Sequence, residues 1–386
     1  MVKIGIRHNL FYPAVLIACD FLRNIDLDLL EIFYNFKVSF LFTTIMFFSE
    51  LIFGLIIYMY QSQFFKKRKQ KKYENYKGIE LITTDDNSKM PIQISVLKIN
   101  LIIFLITFFD YFQFSIQIYF NLKGEDIISE TLTIRLTSIM TIFSALFCVL
   151  LFKTNIYRHQ KCSLIVIGSC LIIILIYEFM IEKKTLDFIK ELGLIFAIHF
   201  CHSVIACLEK YLIECNFINP FYMLMFEGIY GLILLFITFI IHLVFFHKNL
   251  FEGITGQNNY LLIIIFLIIF FLLSGGRNSY KEITNKIFSP MTISLSYCIL
   301  NPLLIIYYLL IDEDKKIFNY NYFKLSHLVV NIIISFIIVF AGCIYNEVLI
   351  LYFCSLERDT YIEITKRGIR DSFLDYGIND DTDDLD

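Results

Sequence analysis

Two stretches of this sequence place a carboxylate and a glycine at the same spacing inside long apolar runs. In the first stretch Glu50 precedes Gly54 by four residues, and in the second Glu227 precedes Gly231 by four. An aromatic residue stands just before the glycine in both. Positions four apart share one face of a helix, and glycine lets a second helix approach closely. The match predicts a duplicated chain, with two unrelated helix-packing faces as the alternative.

The two carboxylates point to chemistry because their surroundings are apolar. An ionised carboxylate costs roughly 2.5 kcal/mol or more at the centre of a bilayer. Glu50 and Glu227 should therefore face a protein interior or a wet cavity. There they could bind a cationic solute, carry a coupling proton or neutralise an arginine, and structural pairing is the alternative for each. The sequence thus predicts a polar centre formed by two matched helices.

Arg135 is the other candidate for contact with a solute. Its guanidinium group presents five donors in a fork that fits a phosphate or a carboxylate. Because an arginine is costly to leave facing lipid, we expect Arg135 to neutralise an anionic group of the solute. An internal ion pair with Asp110 or Glu50 is the main alternative, and an interfacial position for the side chain is the next.

A third apolar run carries polar residues at helical spacing. Asp110, Gln113 and Gln117 lie three or four residues apart in the sequence, and residues at that spacing share one helix face. We expect this face to line a cavity and to orient the solute. Hydrogen bonding between helices is the alternative.

Polar residues also open and interrupt the ninth apolar run. Ser289 and Thr292 flank Pro290, and Asn301 precedes Pro302, which removes a backbone donor inside the run. These side chains could supply hydrogen bonds either to the backbone or to a solute. The full set of predicted solute-binding residues is Glu50, Asp110, Gln113, Gln117, Arg135, Glu227, Ser289, Thr292 and Asn301.

Two histidines suggest other chemistry, which the sequence supports less well. His199, His202 and Glu209 lie close to one helical stripe, as in a metal site or a proton relay, but no other run supplies a partner histidine. Structural hydrogen bonds are therefore favoured. Glu209 and Lys210 are interpreted as an ion-paired helix end rather than a gate. The ten cysteines are scattered without a CxxC pair, so we expect no metal and no cofactor.

The chain as a whole has the composition of a membrane protein. Of its 386 residues 58% are hydrophobic, and the mean hydropathy is +0.68. Apolar runs of roughly 20 residues, enough to cross a bilayer, recur from Phe36 to Phe353. This predicts an all-α polytopic membrane protein with about ten transmembrane helices, and argues against nucleic-acid binding. The first run, Leu10 to Leu22, is short and interrupted, so we expect a weak helix there.

Loops divide the predicted helices into two halves and a tail. We expect an N-terminal helix half at 1–181 with a basic cytosolic loop at 61–94, a C-terminal helix half at 182–356, and an acidic cytosolic tail at 357–386. The eighth run is expected to end at Leu273 and to lead into another basic loop. The loops and tail on this side carry 18 basic residues against 10 on the other. Because Lys and Arg collect on the cytoplasmic side, a cytosolic C-terminus is predicted.

Short motifs along the chain resemble a known family. The residues that carry the resemblance are Phe47-Phe48-Ser49-Glu50, Ile134-Arg135, Glu209-Lys210, Glu227-Gly228-Ile229-Tyr230-Gly231 and Tyr345-Asn346. In their order and spacing they resemble the F-type members of solute carrier family 35, relatives of the nucleotide-sugar transporters in the drug/metabolite transporter superfamily. The resemblance covers most of Phe36 to Glu347, and Leu136 and Ile293 depart from the family's pattern.

The resemblance implies ten helices in two inverted five-helix repeats that move a solute by alternating access. The expected function is secondary transport or exchange of a small organic solute, such as a nucleotide sugar or another metabolite, and not enzymatic catalysis. A non-transporting scaffold or receptor, and a lipid-modifying enzyme with His202 as its base, are the alternatives. The expected partners are the solute and the lipid bilayer, with no nucleic acid. The expected location is an endomembrane of the Golgi, ER or lysosome type.

Overall fold

The computed structural model describes residues 2–4, 10–34, 36, 38–75, 96–123, 130–152, 156–181, 185–246, 259–311, 322–352, 356 and 360. The helices are α1 (Phe11–Tyr34), α2 (Ser39–Asn75), α3 (Val96–Lys123), α4 (Glu130–Arg135), α5 (Ile139–Phe152), α6 (Arg158–Ile181), α7 (Thr185–Cys215), α8 (Pro220–Ile241), α9 (Tyr260–Ile287), α10 (Pro290–Ile311) and α11 (Tyr322–Tyr345). A 3-10 turn, Leu136–Ser138, joins α4 to α5, and a π-helical turn, His242–Phe246, extends α8. With α4 and α5 counted as one segment, the described chain holds ten helical segments.

The prediction of an all-α chain with membrane-length helices is confirmed. Six helical stretches are long and apolar enough to cross a bilayer: Ser39–Gln63, Val96–Gln113, Arg158–Met180, Phe188–Cys215, Pro220–Val244 and Tyr260–Ile287. A helix satisfies its backbone hydrogen bonds internally, which is what allows such apolar stretches to leave water. The described fold is that of an integral multi-pass membrane protein by the length and composition of these helices.

The distribution of side chains is inverted relative to that of a soluble protein. Large apolar side chains point outward, with Leu261 73% and Met180 70% exposed, while the carboxylates Glu209 and Glu282 are fully buried. An apolar outer surface of this kind is stable against lipid tails and unstable in water. The bundle therefore places its charged chemistry inside, between helices.

The first helix is longer than the sequence predicts. The expected weak segment, Leu10 to Leu22, lies almost wholly within the 24-residue helix α1, which begins at Phe11. Pro13 lies in the first turn, where a missing backbone donor breaks no helical hydrogen bond. Asp20 does not interrupt the helix because Arg23 and Arg277 both lie 2.9 Å from its carboxylate.

Helix α9, which contains the eighth apolar run, differs from the predicted boundary. The expected loop after Leu273 does not exist, because α9 continues to Ile287. A side chain at Gly275 would stand 2.3 Å from the ring of Phe53 on α2, so this glycine serves helix packing rather than a turn. Three of the 18 residues in the basic count therefore belong to α9, and the count without these three is 15 against 10. Helix α2 likewise continues through the basic cluster to Asn75.

Helices α2 and α8 cross with their backbones in contact. A Cβ atom at Gly54 would lie 2.6 Å from the backbone nitrogen of Met225, and one at Gly228 would lie 2.5 Å from that of Leu51. Real Cβ atoms do not come so close to backbone atoms, so only glycine fits at either position. Gly54 thus makes the close helix approach that the sequence predicts. In the second stretch Gly228 makes the backbone contact, whereas a Cβ atom at the matched Gly231 would meet the ring of Phe47.

The two helices of this crossing run in opposite directions. Near one end Phe40 packs on Phe239 with ring centroids 6.2 Å apart. Near the other end the side-chain amide of Asn219 donates to Gln61 at 3.0 Å. The crossing is therefore antiparallel along its whole length, with Gly54 and Gly228 near its middle.

The remaining helices pack around this crossing. Helix α9 packs on α1 and α2, α3 packs on α7 and α8, α5 packs on α7 and α10, α1 packs on α10, and α6 packs on α11. The largest buried apolar cluster joins α5, α6, α10 and α11 and includes Leu136 and Ile167, both fully buried. Two short strands, β1 (Val2–Ile4) and β2 (Leu349–Leu351), pair antiparallel at the end of α11. Several buried charged residues, Glu209, Glu227 and Glu282, lie where α7, α8 and α9 meet.

Candidate functional site

The last three turns of α9 carry a polar face directed into the bundle. Asn278, Lys281, Glu282 and Asn285 are spaced three or four residues apart, which places them on neighbouring positions of one helix face. Asn278 is 3% exposed, and Glu282 and Asn285 are fully buried. This face meets α2, α7 and α8, so protein rather than lipid surrounds it.

Three carboxylates from three helices converge on this face. Glu209 of α7, Glu227 of α8 and Glu282 of α9 place carboxylate oxygens within 4.8 Å of one another. The ammonium nitrogen of Lys281 lies 2.6 Å from Glu209 Oε1 and 3.9 Å from Glu282 Oε1. We call Glu209, Glu227, Glu282 and Lys281 the acidic centre.

The hydrogen bonds of the acidic centre are incomplete. The amide of Asn285 donates to Glu209 Oε2 at 3.1 Å, so both oxygens of Glu209 have partners. Neither oxygen of Glu282, nor Oε1 of Glu227, accepts a hydrogen bond from the residues that the structure describes. Buried acceptors are costly to leave unpaired. The acidic centre therefore lacks donors on the side of Glu227 and Glu282.

Glu50 reaches the same helix one turn earlier. The amide nitrogen of Asn278 donates to Glu50 Oε1 at 2.6 Å, and Glu50 is 4% exposed. The amide oxygen of Asn278 accepts from Arg277 Nη1 at 2.8 Å. The two matched glutamates thus have different neighbours, since Glu50 contacts a neutral amide of α9 while Glu227 faces one carboxylate of α7 and one of α9.

Arg277 of α9 contacts α1 and α10. Its Nε lies 2.9 Å from Asp20 of α1, and its Nη2 donates to the hydroxyl of Tyr297 on α10 at 2.9 Å. Arg23 also lies 2.9 Å from Asp20. This chain of contacts shows why α1 is a full helix, because its charged residues pair with the interior of the bundle.

Carboxylates outnumber cations in this interior. The described residues within electrostatic range of one another include six carboxylates and three cations, which are Asp20, Glu50, Asp110, Glu209, Glu227, Glu282, Arg23, Arg277 and Lys281. In low dielectric such an excess of one sign is strongly unfavourable. A cation or protons must offset it.

Of the polar face predicted on α3, only Asp110 is shown to lie near the acidic centre. Asp110 lies within electrostatic range of Lys281 and Arg277. Gln113 is 3% exposed, and its amide nitrogen donates no hydrogen bond to any described residue. Gln117 on α3 and Asn301 on α10 have helical backbones, but their side chains lie outside what the structure describes.

Arg135 lies elsewhere, and neither of its predicted ion-pair partners is correct. Its Nη1 contacts Glu178 Oε1 at 2.8 Å, with side chains 15% and 8% exposed. The expected pairs with Asp110 or Glu50 are therefore replaced by a contact from α4 to α6. Helix α6 accordingly serves as scaffold at this point.

Ser289 and Thr292 belong to the start of α10. The hydroxyl of Ser289 accepts from the backbone nitrogen of Thr292 at 3.4 Å, as an N-cap residue does. The hydroxyl of Thr292 donates to Asn346 Oδ1 at 2.7 Å and so links α10 to the end of α11. In this conformation both hydroxyl groups bond to protein.

The histidines and Lys210 also contact backbone oxygens. His199 Nε2 lies 3.2 Å from the Thr133 carbonyl oxygen, and His202 Nδ1 lies 3.2 Å from that of Ile198. These are the structural hydrogen bonds that the sequence favours. Lys210 pairs with Glu214 at 2.7 Å and donates to the carbonyl oxygens of Asn285 and Phe288, at the end of α9. The predicted ion pair at the helix end is therefore confirmed for Lys210, whereas the side chain of Glu209 lies in the acidic centre.

Most of the residues that sequence reasoning missed lie in the segment taken for a loop. Arg277, Asn278, Lys281 and Glu282 follow a Gly-Gly pair, which hides the helix. A signal was available, because the polar residues from Asn278 onward recur every three or four positions and the next proline comes after the helix ends.

Comparison with known proteins adds no identification. No family model matches the chain, and no curated protein matches it significantly. The class that the fold and site define is a helical, multi-pass membrane protein with a buried, acid-rich centre.

Proposed function

We propose that this protein is a secondary transporter or exchanger that binds a small organic solute at the polar centre and moves it by alternating access. The observation that carries the proposal is the surplus of buried carboxylates where α2, α3, α7, α8 and α9 meet. Intramembrane carboxylates are expensive, so an unbalanced group of them is best explained by a ligand that supplies the missing charge. Transport requires such a site near the middle of the helices.

The charge of the site favours an organic cation as solute. The sequence suggests that Arg135 would neutralise an anionic group, but Glu178 occupies its guanidinium. Arg277 and Lys281 are likewise paired with carboxylates. The carboxylate oxygens that lack donors would repel an added anion, whereas an added amine would donate hydrogen bonds to them. A nucleotide sugar fits this site less well than a protonated amine does.

The packing pairs support the proposed inverted repeat. In the proposed repeat, the segments α1, α2, α3, α4 with α5, and α6 correspond in order to α7, α8, α9, α10 and α11. Under this correspondence the packing of α2 on α8 is equivalent to itself, and so is the packing of α6 on α11. The pair α1 and α9 maps onto α7 and α3, and α2 and α9 maps onto α8 and α3. An odd number of segments in each half would give the halves opposite orientations in the membrane.

The contact at the α2 and α8 crossing supports the same arrangement. Leu51 follows Glu50 as Gly228 follows Glu227, so the two residues occupy equivalent positions of the repeat. Gly228 packs directly against the backbone of Leu51. Equivalent residues meet in this way where a two-fold axis passes between two copies.

We further propose that the chain belongs to the group it resembles, the F-type members of solute carrier family 35. The order of the motifs and the ten helical segments agree with that group. The proposed location is an endomembrane of the Golgi, ER or lysosome type with a cytosolic C-terminus. The basic residues still favour that orientation by 15 to 10 after the helical residues of α9 are removed from the count.

The experiment is solute exchange in proteoliposomes that contain the purified full-length chain. Labelled organic cations and labelled nucleotide sugars are compared, with empty liposomes as the blank. We expect exchange of at least one cation, lost in Glu227→Gln and retained in Glu178→Gln per folded protein. If no solute exchanges above the blank, transport is rejected. Stabilisation by a cation without exchange points to a receptor instead.

A further inference from the structure

The acidic centre has one place that its own residues do not fill. Glu227 and Glu282 are 5% and 0% exposed, and their carboxylate oxygens lie within 4.8 Å of each other and of Glu209. Glu209 is satisfied by Lys281 and Asn285. Both oxygens of Glu282 and Oε1 of Glu227 find no donor within the described ranges. Three acceptor oxygens on two neighbouring buried carboxylates thus lack a donor, and a bound proton would supply one.

We propose that Glu282 carries an exchangeable proton, shared with Glu227 or Glu209, and that this proton is the coupling ion of the proposed transport. A carboxylate that gains a proton from water becomes a neutral carboxyl group with a new O–H bond. That O–H then donates to the neighbouring carboxylate, which supplies the missing donor. The reverse step returns the proton to water, and no other bond changes. The coupling role rests on the proposed function, whereas the proton site does not.

The surrounding charges favour a proton at this place. Beyond the acidic centre, the described titratable and charged groups within its electrostatic range include Glu50 on α2, Asp110 on α3, His202 and Cys207 on α7 and Tyr297 on α10. Arg277 on α9 lies within range of Glu50 and Asp110. The two carboxylates add negative charge. Arg277 already pairs with Asp20, and His202 contacts a backbone oxygen. Like charges this close cannot all remain ionised without a counter-charge.

A proton fits the geometry better than a metal ion. The ammonium of Lys281, 2.6 Å from Glu209 and 3.9 Å from Glu282, already occupies one side of the carboxylate cluster. A calcium ion would need six or more oxygen ligands and would lie beside that ammonium. A proton needs only one donor oxygen and one acceptor oxygen, which Glu282 and its neighbours provide.

Loss of this proton would prepare the site for a cation. Deprotonated Glu282 adds one negative charge beside Glu227, and a protonated amine of the solute would restore the balance. Proton and solute would then compete for the same carboxylates, which gives exchange of one for the other. Binding of either one weakens binding of the other, as linkage requires.

The test is infrared spectroscopy of the full-length protein in liposomes, without any solute. We expect a C=O stretch of a protonated carboxyl group at neutral pH that disappears reversibly at alkaline pH. Glu282→Gln should remove this band, and Glu227→Gln should shift it by changing the hydrogen bond. Glu178→Gln is the matched control, because Glu178 is also buried but pairs with Arg135, and it should leave the band unchanged.

Three results would overturn the proton site. These are a band that is absent at neutral pH, a band that survives in Glu282→Gln, and a band that calcium or manganese ions remove at constant pH. Should Glu282→Gln fail to fold, the frequency shift in Glu227→Gln decides, and an unshifted band rejects the site. The transport proposal fails separately, since a protein can show the band and exchange no solute, or exchange a solute and show no band.

Discussion

Two regions of the bundle bury a glutamate beside a basic residue, and they differ in charge balance. Between α4 and α6, Glu178 meets Arg135 at 2.8 Å, and the pair is complete. Between α7, α8 and α9, the one ammonium group of Lys281 faces three carboxylates in the acidic centre. A matched pair can serve the fold alone. An unmatched group needs protons or a counter-charge beyond the residues that the structure describes, which is why we propose the acidic centre as the functional site.

The comparison predicts its largest effect at Lys281. Lys281→Met leaves three buried carboxylates without their cation, and removal of one partner of a buried ion pair typically costs about 3–5 kcal/mol. We expect this loss in thermal unfolding of the detergent-solubilised protein. Lys281→Arg keeps the charge and is the control. Adding Glu209→Gln to Lys281→Met should recover much of the loss, and a Lys281→Met protein as stable as the wild type would contradict the described ion pairs.

The next effect concerns the crossing that delivers Glu227 to the acidic centre. Gly228→Ala places a methyl group 2.5 Å from the backbone nitrogen of Leu51, so α2 and α8 must separate. Overpacking of this kind costs about 1–3 kcal/mol. Gly193→Ala is the control, because a Cβ atom there meets nothing within 4 Å. Equal melting temperatures for the two variants would show that the helices do not cross as described.

The balanced pair should be less sensitive than Lys281. Arg135→Met removes the partner of Glu178, but both side chains keep some exposure to solvent, 15% and 8%. We expect a loss of about 1–2 kcal/mol, since partial solvation screens the remaining charge. The double variant with Glu178→Gln should be more stable than Arg135→Met alone. A loss larger than that of Lys281→Met would reverse the comparison.

The smallest expected effect is on stability, which Glu282→Gln and Glu178→Gln should change in opposite directions. Glu282→Gln replaces a carboxyl group that is costly to ionise in an acid-rich group with a neutral amide, and should change stability by less than about 1 kcal/mol, in the stabilising direction. Glu178→Gln removes the partner of Arg135 and should destabilise. Thermal melts of the two variants side by side measure this sign, and destabilisation by Glu282→Gln with none by Glu178→Gln would contradict the charge count.

Much of this architecture could be predicted from residue patterns. The apolar runs indicate a helical membrane bundle, and the repeated Glu and Gly residues indicate close helix packing and a buried position for Glu50 and Glu227. These features depend on local periodicity and on the cost of charge in hydrocarbon, both of which the sequence carries directly. The inverted orientation of the halves stays a prediction.

The rest depends on which distant residues meet. Arg135 has several possible carboxylate partners along the chain, and only the packing of α4 on α6 selects Glu178. The Gly275-Gly276 pair has the composition of a turn, yet Gly275 lies inside α9 because the ring of Phe53 packs against it. That one misreading concealed Lys281 and Glu282, and with them the partners of Glu209 and Glu227.

The most direct test compares two glutamates for transport and stability together. Exchange of a labelled organic cation in proteoliposomes is measured for Glu227→Gln and Glu178→Gln, and each rate is divided by the amount of folded protein. We expect Glu227→Gln to lose exchange while its melting temperature stays near that of the wild type, and Glu178→Gln to keep exchange while its melting temperature falls. Full exchange by Glu227→Gln, or its loss only in Glu178→Gln, would contradict the assignment of solute binding to the acidic centre.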